Sequence, residues 1–121
     1  MEHSKEFETL VESIKTNIRE VSVSEAQERV KHGATLVDVR EDREWLAAHA
    51  EGSIHMARGV IERDIVQRFP DKRIELILYC GGGYRSALAA DNLQKMGYQN
   101  VLSMAGGWSA WQEANAPITI D

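Results

Sequence analysis

Apolar residues recur every three or four positions at the start of the chain. Phe7, Leu10, Val11, Ile14 and Ile18 share one face of a helix drawn over about residues 4–19. An apolar stripe of this kind must be buried, either on its own domain or against a second copy of the chain. Val21-Ser22-Val23 reads as a short strand. Ser24, with Gln27 three residues later, fits a capping box that opens a helix to about His32, and Gly33 stops it. The pattern then changes period. Thr35 to Val39 (TLVDV) is a buried strand, and Glu41 to about His49 is helical with acidic residues in its first turn. Gly52 to Ala57 is a loop or short strand, and Val60 to Phe69 is a helix ended by Pro70. Ile74 to Tyr79 (IELILY) is the strongest strand. Arg85 to about Met96 is a helix stopped by Gly97. Val101 to Met104 is a strand, and Trp108 to Ala114 is the last helix.

Strands alternating with helices, and strands this apolar, predict an α/β domain with a central, mostly parallel sheet covered by helices on both faces. The N-terminal helix, residues 1–20, is an addition to a domain over 21–121. Ligands of such sheets bind beyond the carboxyl ends of the strands. The most apolar strand runs straight into Cys80-Gly81-Gly82-Gly83-Tyr84-Arg85-Ser86, which directs the search for chemistry to that loop.

Composition narrows the classes. At 121 residues, 43% hydrophobic and 27% charged, the chain is one ordinary globular domain. Its 14 Lys and Arg against 19 Asp and Glu give a net charge of −5, the wrong sign for a nucleic-acid binder or an anionic membrane surface. The N-terminal segment is charged throughout, without the apolar core of a signal peptide. One cysteine excludes an internal disulfide and a cysteine-rich zinc site, and fits a reducing, cytoplasmic setting. His3, His32, His49 and His55 have no metal-ligand spacing, so neither a metal nor a cofactor is expected. His49 is expected to orient a loop or sit at the surface, and Trp108 and Trp111 to pack in the core or its rim. The charges of Glu62, Arg63, Asp64 and Arg68 read as a solvated helix face.

A cysteine between a strand end and a helix N-terminus faces unpaired backbone N–H groups, which favour an anion and hence the thiolate. The three glycines clear the pocket and permit positive φ, so that successive amides can converge. Arg85 adds a forked cationic donor, Tyr84 and Ser86 add amides, and the Ser86 hydroxyl is within reach of the loop. The absence of lysine argues against a nucleotide-binding P-loop.

CGGGYRS resembles the active-site loop of single-domain rhodanese-like sulfurtransferases. LVDVRE (36–41), HAEGSIHMARGVIE (49–62) and GYQNVLSMAGGWSAW (97–111) are similar to further motifs of that family, in the family's order, over about Val21 to Ala114. The resemblance implies a sulfurtransferase that moves a sulfane sulfur through a Cys80 persulfide. The donor would be thiosulfate or a low-molecular-weight persulfide, and the acceptor a thiol or cyanide, with thioredoxin or glutathione as possible partners. By position, Cys80 is the nucleophile, Gly81 to Ser86 hold the sulfur or the anionic donor, and Arg85 binds its oxyanion. Asp38 and Arg40 support the site, or belong with Glu44 to a structural ion-pair network. Gly81 stands where thiosulfate-adapted members often carry a second basic residue. Related phosphatases and arsenate reductases have a loop one residue longer than the four residues between Cys80 and Arg85, so the resemblance favours sulfur over phosphoryl chemistry. A carrier or protein-interaction module is the alternative reading, and a monomer or a homodimer through the N-terminal helix the expected assembly.

Overall fold

The computed structural model describes residues 3–120; Met1, Glu2 and Asp121 of the two expected segments lie outside the described residues. In chain order the elements are α1 (Lys5–Lys15), β1 (Arg19–Val21), α2 (Val23–Lys31), β2 (Thr35–Asp38), α3 (Asp42–Ala47), β3 (His49–Ala50), β4 (Ile54–His55), α4 (Ile61–Arg68), β5 (Glu75–Tyr79), α5 (Tyr84–Lys95), β6 (Asn100–Met104), α6 (Gly107–Glu113) and β7 (Ile118–Thr119). Five strands form one sheet in the order β1-β6-β5-β2-β4, and every neighbouring pair is parallel. This is the expected architecture. A second, two-stranded antiparallel sheet joins β3 to β7, an element with no sequence signal because each strand is two residues long.

β5 lies at the centre and is buried on both faces, which is why it reads as an unbroken apolar run. Its side chains alternate. Leu76 and Leu78, then Cys80, enter one core cluster with Ile61, Ile65, Ala90 and Leu93 from α4 and α5. Ile77 and Tyr79 enter the opposite cluster with Ala26, Leu102, Met104 and Trp111. Full burial of each large aliphatic side chain contributes roughly 1.5–3 kcal/mol. The sulfur therefore lies on the α5 side of the sheet.

Several boundaries differ from the expectation. The first helix stops at Lys15, capped by Thr16, because Thr16 and Asn17 are poor helix formers and Arg19 is already paired with Leu102 in the sheet. The cap of α2 is Ser22, whose Oγ accepts from the Glu25 N–H at 3.1 Å, rather than Ser24. β1 ends at Val21, and the turn into the helix must follow at once. Glu62 is not on a solvated face. Its Oε2 accepts from Arg58 Nη1 and from Asn92 Nδ2, both at 2.7 Å, and so joins α4 to α5.

The N-terminal helix docks on its own domain. α1 lies against α5, with Val11 buried; Ser4 Oγ caps it by accepting from the Phe7 N–H at 3.0 Å, and Gln94 Nε2 of α5 donates to the Asn17 carbonyl at 2.7 Å beyond its other end.

Candidate active site

The loop after β5 turns the chain from the carboxyl end of the central strand into α5. Cys80 is buried at its base and lines a cavity of about 350 Å³ together with Gly82, Tyr84, Arg85, Glu44 and Phe7. The Gly83 N–H points at the sulfur, 3.1 Å from Sγ. Gly83 sits at φ 101° as the N-cap of α5, a conformation that favours glycine; Gly81 and Gly82 do not use positive φ. At Gly81 a Cβ would lie 3.1 Å from Arg85 Nη2, so glycine there leaves room for the guanidinium.

Ser86, on the first turn of α5 and fully buried, places its Oγ 3.5 Å from Cys80 Sγ. Ser103 of β6 stands behind it, with 2.9 Å between the two hydroxyl oxygens. When the sulfur is an anion, the chain of donors runs from Ser103 to Ser86 to Sγ. Ser103 lies within the 97–111 motif, but nothing in that motif assigns it to the site; the parallel pairing of β5 with β6 brings it here.

The carbonyl oxygens of the loop are held from outside. The Trp108 N–H donates to the Cys80 carbonyl at 2.7 Å, and the Ser109 N–H to the Gly81 carbonyl at 3.1 Å. This contact needs Gly107, where a Cβ would overlap the Cys80 carbonyl oxygen and where φ is 51°. The start of α6 and the cysteine loop thus pack backbone to backbone.

Arg85 reaches the cavity in an ion pair. Its Nη1 is 2.9 Å from Glu44 Oε1, and its Nη2 is 3.4 Å from Oε2. Glu44 Oε1 also accepts from the Glu41 N–H at 2.9 Å, the capping interaction of α3. The Arg85 hydrogen bond holds the Glu44 carboxyl below the usual carboxylate range, and Glu44 in turn raises the guanidinium. Glu44 belongs to the pocket through Arg85, a link that sequence separation hides.

Asp38 and Arg40 do not line this cavity. Arg40 Nη2 lies 2.8 Å from Asp38 Oδ2, and both side chains are almost wholly buried. The Tyr79 hydroxyl donates to Asp38 Oδ2 at 2.6 Å, Arg40 Nη2 donates to the Ala48 carbonyl at 2.7 Å, and the Arg40 guanidinium stacks over Trp108 at 4.5 Å. Burial and the Asp38 charge push the Tyr79 hydroxyl far up, keeping it a donor. The cluster ties the ends of β2 and β5 to α3, β3 and α6. His49 is likewise buried, not at the surface. Its ring lies flat on Trp45 at 3.4 Å between centroids, and its Nδ1 is 2.9 Å from the Trp45 carbonyl. Trp111 is core, and Trp108 covers Arg40.

A buried cysteine at the carboxyl end of the central strand, a short glycine loop and an arginine on the following helix make up this arrangement. The family model described as "Rhodanese-like domain" matches residues 22–114. The chain belongs to the rhodanese-like domain family. Among similar proteins, the thiosulfate sulfurtransferase GlpE of Haemophilus influenzae is 30% identical over 102 residues, covering 84% of this chain and 95% of that one. GlpE of Vibrio cholerae is 33% identical over 85 residues, covering 70% and 78%. Two solved structures extend the likeness beyond the rhodanese-like domain itself. The polysulfide-sulfur transferase homodimer of Wolinella succinogenes has TM-score 0.82 at 25% identity and covers 96% of this chain and 88% of that one. A Rhodopseudomonas palustris protein of unknown function, named a possible tyrosine phosphatase, has TM-score 0.80 at 28% identity and covers 98% of both. Coverage of that extent leaves no room to omit α1 from the likeness. Among the described residues, no helix is long and apolar enough to cross a membrane.

Proposed function

We propose that this rhodanese-like domain transfers sulfane sulfur through a persulfide on Cys80. The observation that carries the reading is the sulfur itself. It lies at the base of an open cavity, with the Gly83 N–H at 3.1 Å and the Ser86 hydroxyl at 3.5 Å, and Arg85 lines the same cavity. Buried donors aimed at one atom stabilise negative charge there at little reorganisation cost.

In the first step the Cys80 thiolate attacks the outer sulfur of the donor. A new Sγ–S bond forms, the S–S bond of the donor breaks, and the leaving group departs with the electron pair: sulfite from thiosulfate, a thiolate from a low-molecular-weight persulfide. The terminal sulfur of the persulfide then carries the charge, and the loop amides of Gly81 to Ser86 with Arg85 surround it. In the second step a thiolate or cyanide attacks that sulfur and Cys80 leaves as thiolate. The chain has one cysteine, so the acceptor comes from outside. Glutathione and thioredoxin have the required thiol. Asp38 and Arg40 act as positioning residues, through the packing of the loop's flanks.

The test is mass spectrometry of the reduced protein after treatment with thiosulfate, and separately with glutathione persulfide. The expected result is one added sulfur atom, lost on addition of cyanide and absent in Cys80→Ala. Failure of every sulfane donor to load Cys80 overturns the reading. Hydrolysis of p-nitrophenyl phosphate tests the phosphatase alternative, and none is expected from a loop with four residues between Cys80 and Arg85.

A further inference from the structure

Three aromatic rings meet at the mouth of the cavity, and two of them come from outside the 22–114 segment. The His3 ring lies 4.3 Å from that of Tyr84 and 5.1 Å from that of Phe7, and Phe7 stacks on Tyr84 at 5.7 Å with an interplanar angle of 29°. All three line the cavity that Cys80 lines. Phe7 is not a loose surface residue. Its N–H is held by the Ser4 cap, and Val11, one turn on, is buried. The same cavity is lined by Arg85, whose guanidinium is already paired with Glu44, and by Arg43 and Glu41.

An aromatic wall beside an arginine already paired with a carboxylate is a poor host for a strongly hydrated sulfonate. Such a group has to displace Glu44 from Arg85 and lie beside electron-rich ring faces. It is a good host for a flat uncharged body and for polarisable sulfur, which makes favourable contacts with rings. About 350 Å³ falls in the range of small-molecule pockets.

We propose that His3, Phe7 and Tyr84 form a specificity wall, by which the N-terminal segment selects sulfur substrates carried on an apolar, above all aryl, body. The inference rests on the sulfur-transfer reading for its substrate, and on geometry alone for the wall. With an arylthiosulfonate the Cys80 thiolate takes the outer sulfur, the S–S bond breaks, and the arylsulfinate leaves with the electron pair while its ring rests on Phe7 and Tyr84.

The test compares benzenethiosulfonate with methanethiosulfonate, donors with the same reacting group and different bodies, using cyanide as acceptor. The native protein is expected to show the higher kcat/KM with the phenyl donor, by about tenfold, the size of aromatic contacts. Phe7→Ala is expected to lose most of that ratio, and Phe7→Leu, which keeps apolar volume without a ring, to lose part of it and to carry the test if Phe7→Ala does not fold. A second arm needs no sulfur transfer. The single cysteine is alkylated with N-phenylmaleimide or N-methylmaleimide, each rate is normalised to a free thiol, and the phenyl-to-methyl ratio is read in native protein and variants. A ratio in the variants within twofold of the native one, or a native ratio near one, overturns the wall. If no donor turns over but the alkylation ratio falls in Phe7→Ala, the wall stands and the sulfur-transfer reading fails.

Discussion

Glu44 and Arg85, forty-one residues apart, meet at 2.9 Å on the wall of the cavity that holds the Cys80 sulfur. The carboxylate occupies the donors that an anionic substrate would seek. Glu44→Gln therefore lowers KM for thiosulfate, by about twofold to tenfold for a part-exposed pair, with a smaller effect on uncharged donors. Steady-state kinetics with thiosulfate and cyanide check this; an unchanged or raised KM goes against it.

The same pair has a pH signature. Free glutamate titrates at about 4.3, and Arg85 holds Glu44 lower in the folded protein. The stabilisation is fully present above the unfolded value and is lost as pH falls through the folded one. Both side chains are about one third exposed, so the contribution is ~1 kcal/mol at most. Thermal melts of native protein and Glu44→Gln should differ by a constant amount above about pH 5 and converge in stronger acid.

Ser86→Ala removes the hydroxyl facing the sulfur and leaves buried Ser103 without that partner. Alkylation of Cys80 at neutral pH is expected to slow by about threefold to tenfold, and stability to fall by ~1–3 kcal/mol. Ser103→Ala should slow alkylation less, since it acts through Ser86. Equal rates in Ser86→Ala and native protein would remove the serine from the site.

Gly107→Ala drives a methyl group into the Cys80 carbonyl at a backbone with positive φ. Overpacking and strain together predict a loss of ~3 kcal/mol or more. Urea denaturation measures it. Gly59→Ala, with nothing near its Cβ, is the control and should change stability by less than ~1 kcal/mol.

Arg40→Met leaves the Asp38 carboxylate buried without its cation, and a loss of ~3–5 kcal/mol is expected. Asp38→Asn with Arg40→Met should recover part of it. A double-mutant cycle by chemical denaturation reads the coupling.

What the sequence made legible followed long periodic stretches. The apolar run of β5 and the glycine loop behind it located Cys80, and the alternation of strands with helices predicted the parallel sheet. What it hid was contact across the fold. Nothing local distinguishes Ser22 from Ser24 as a cap until β1 is known to end at Val21. The two-residue strands β3 and β7 are shorter than any period. Glu44 and Ser103 reach the site only because β2, β5 and β6 lie side by side. The apolar face of α1 was readable, but its choice of α5 as partner was not, since a stripe does not name what covers it.

The two-residue alternation of β5 has an evolutionary consequence. Inserting or deleting one residue between Glu75 and Tyr79 exchanges the faces, turning the sulfur toward Trp111 and Leu102 and away from Gly83 and Ser86. Drift in this lineage can therefore lengthen the turns around the strand, but within it only substitutions keep the thiol in its cup.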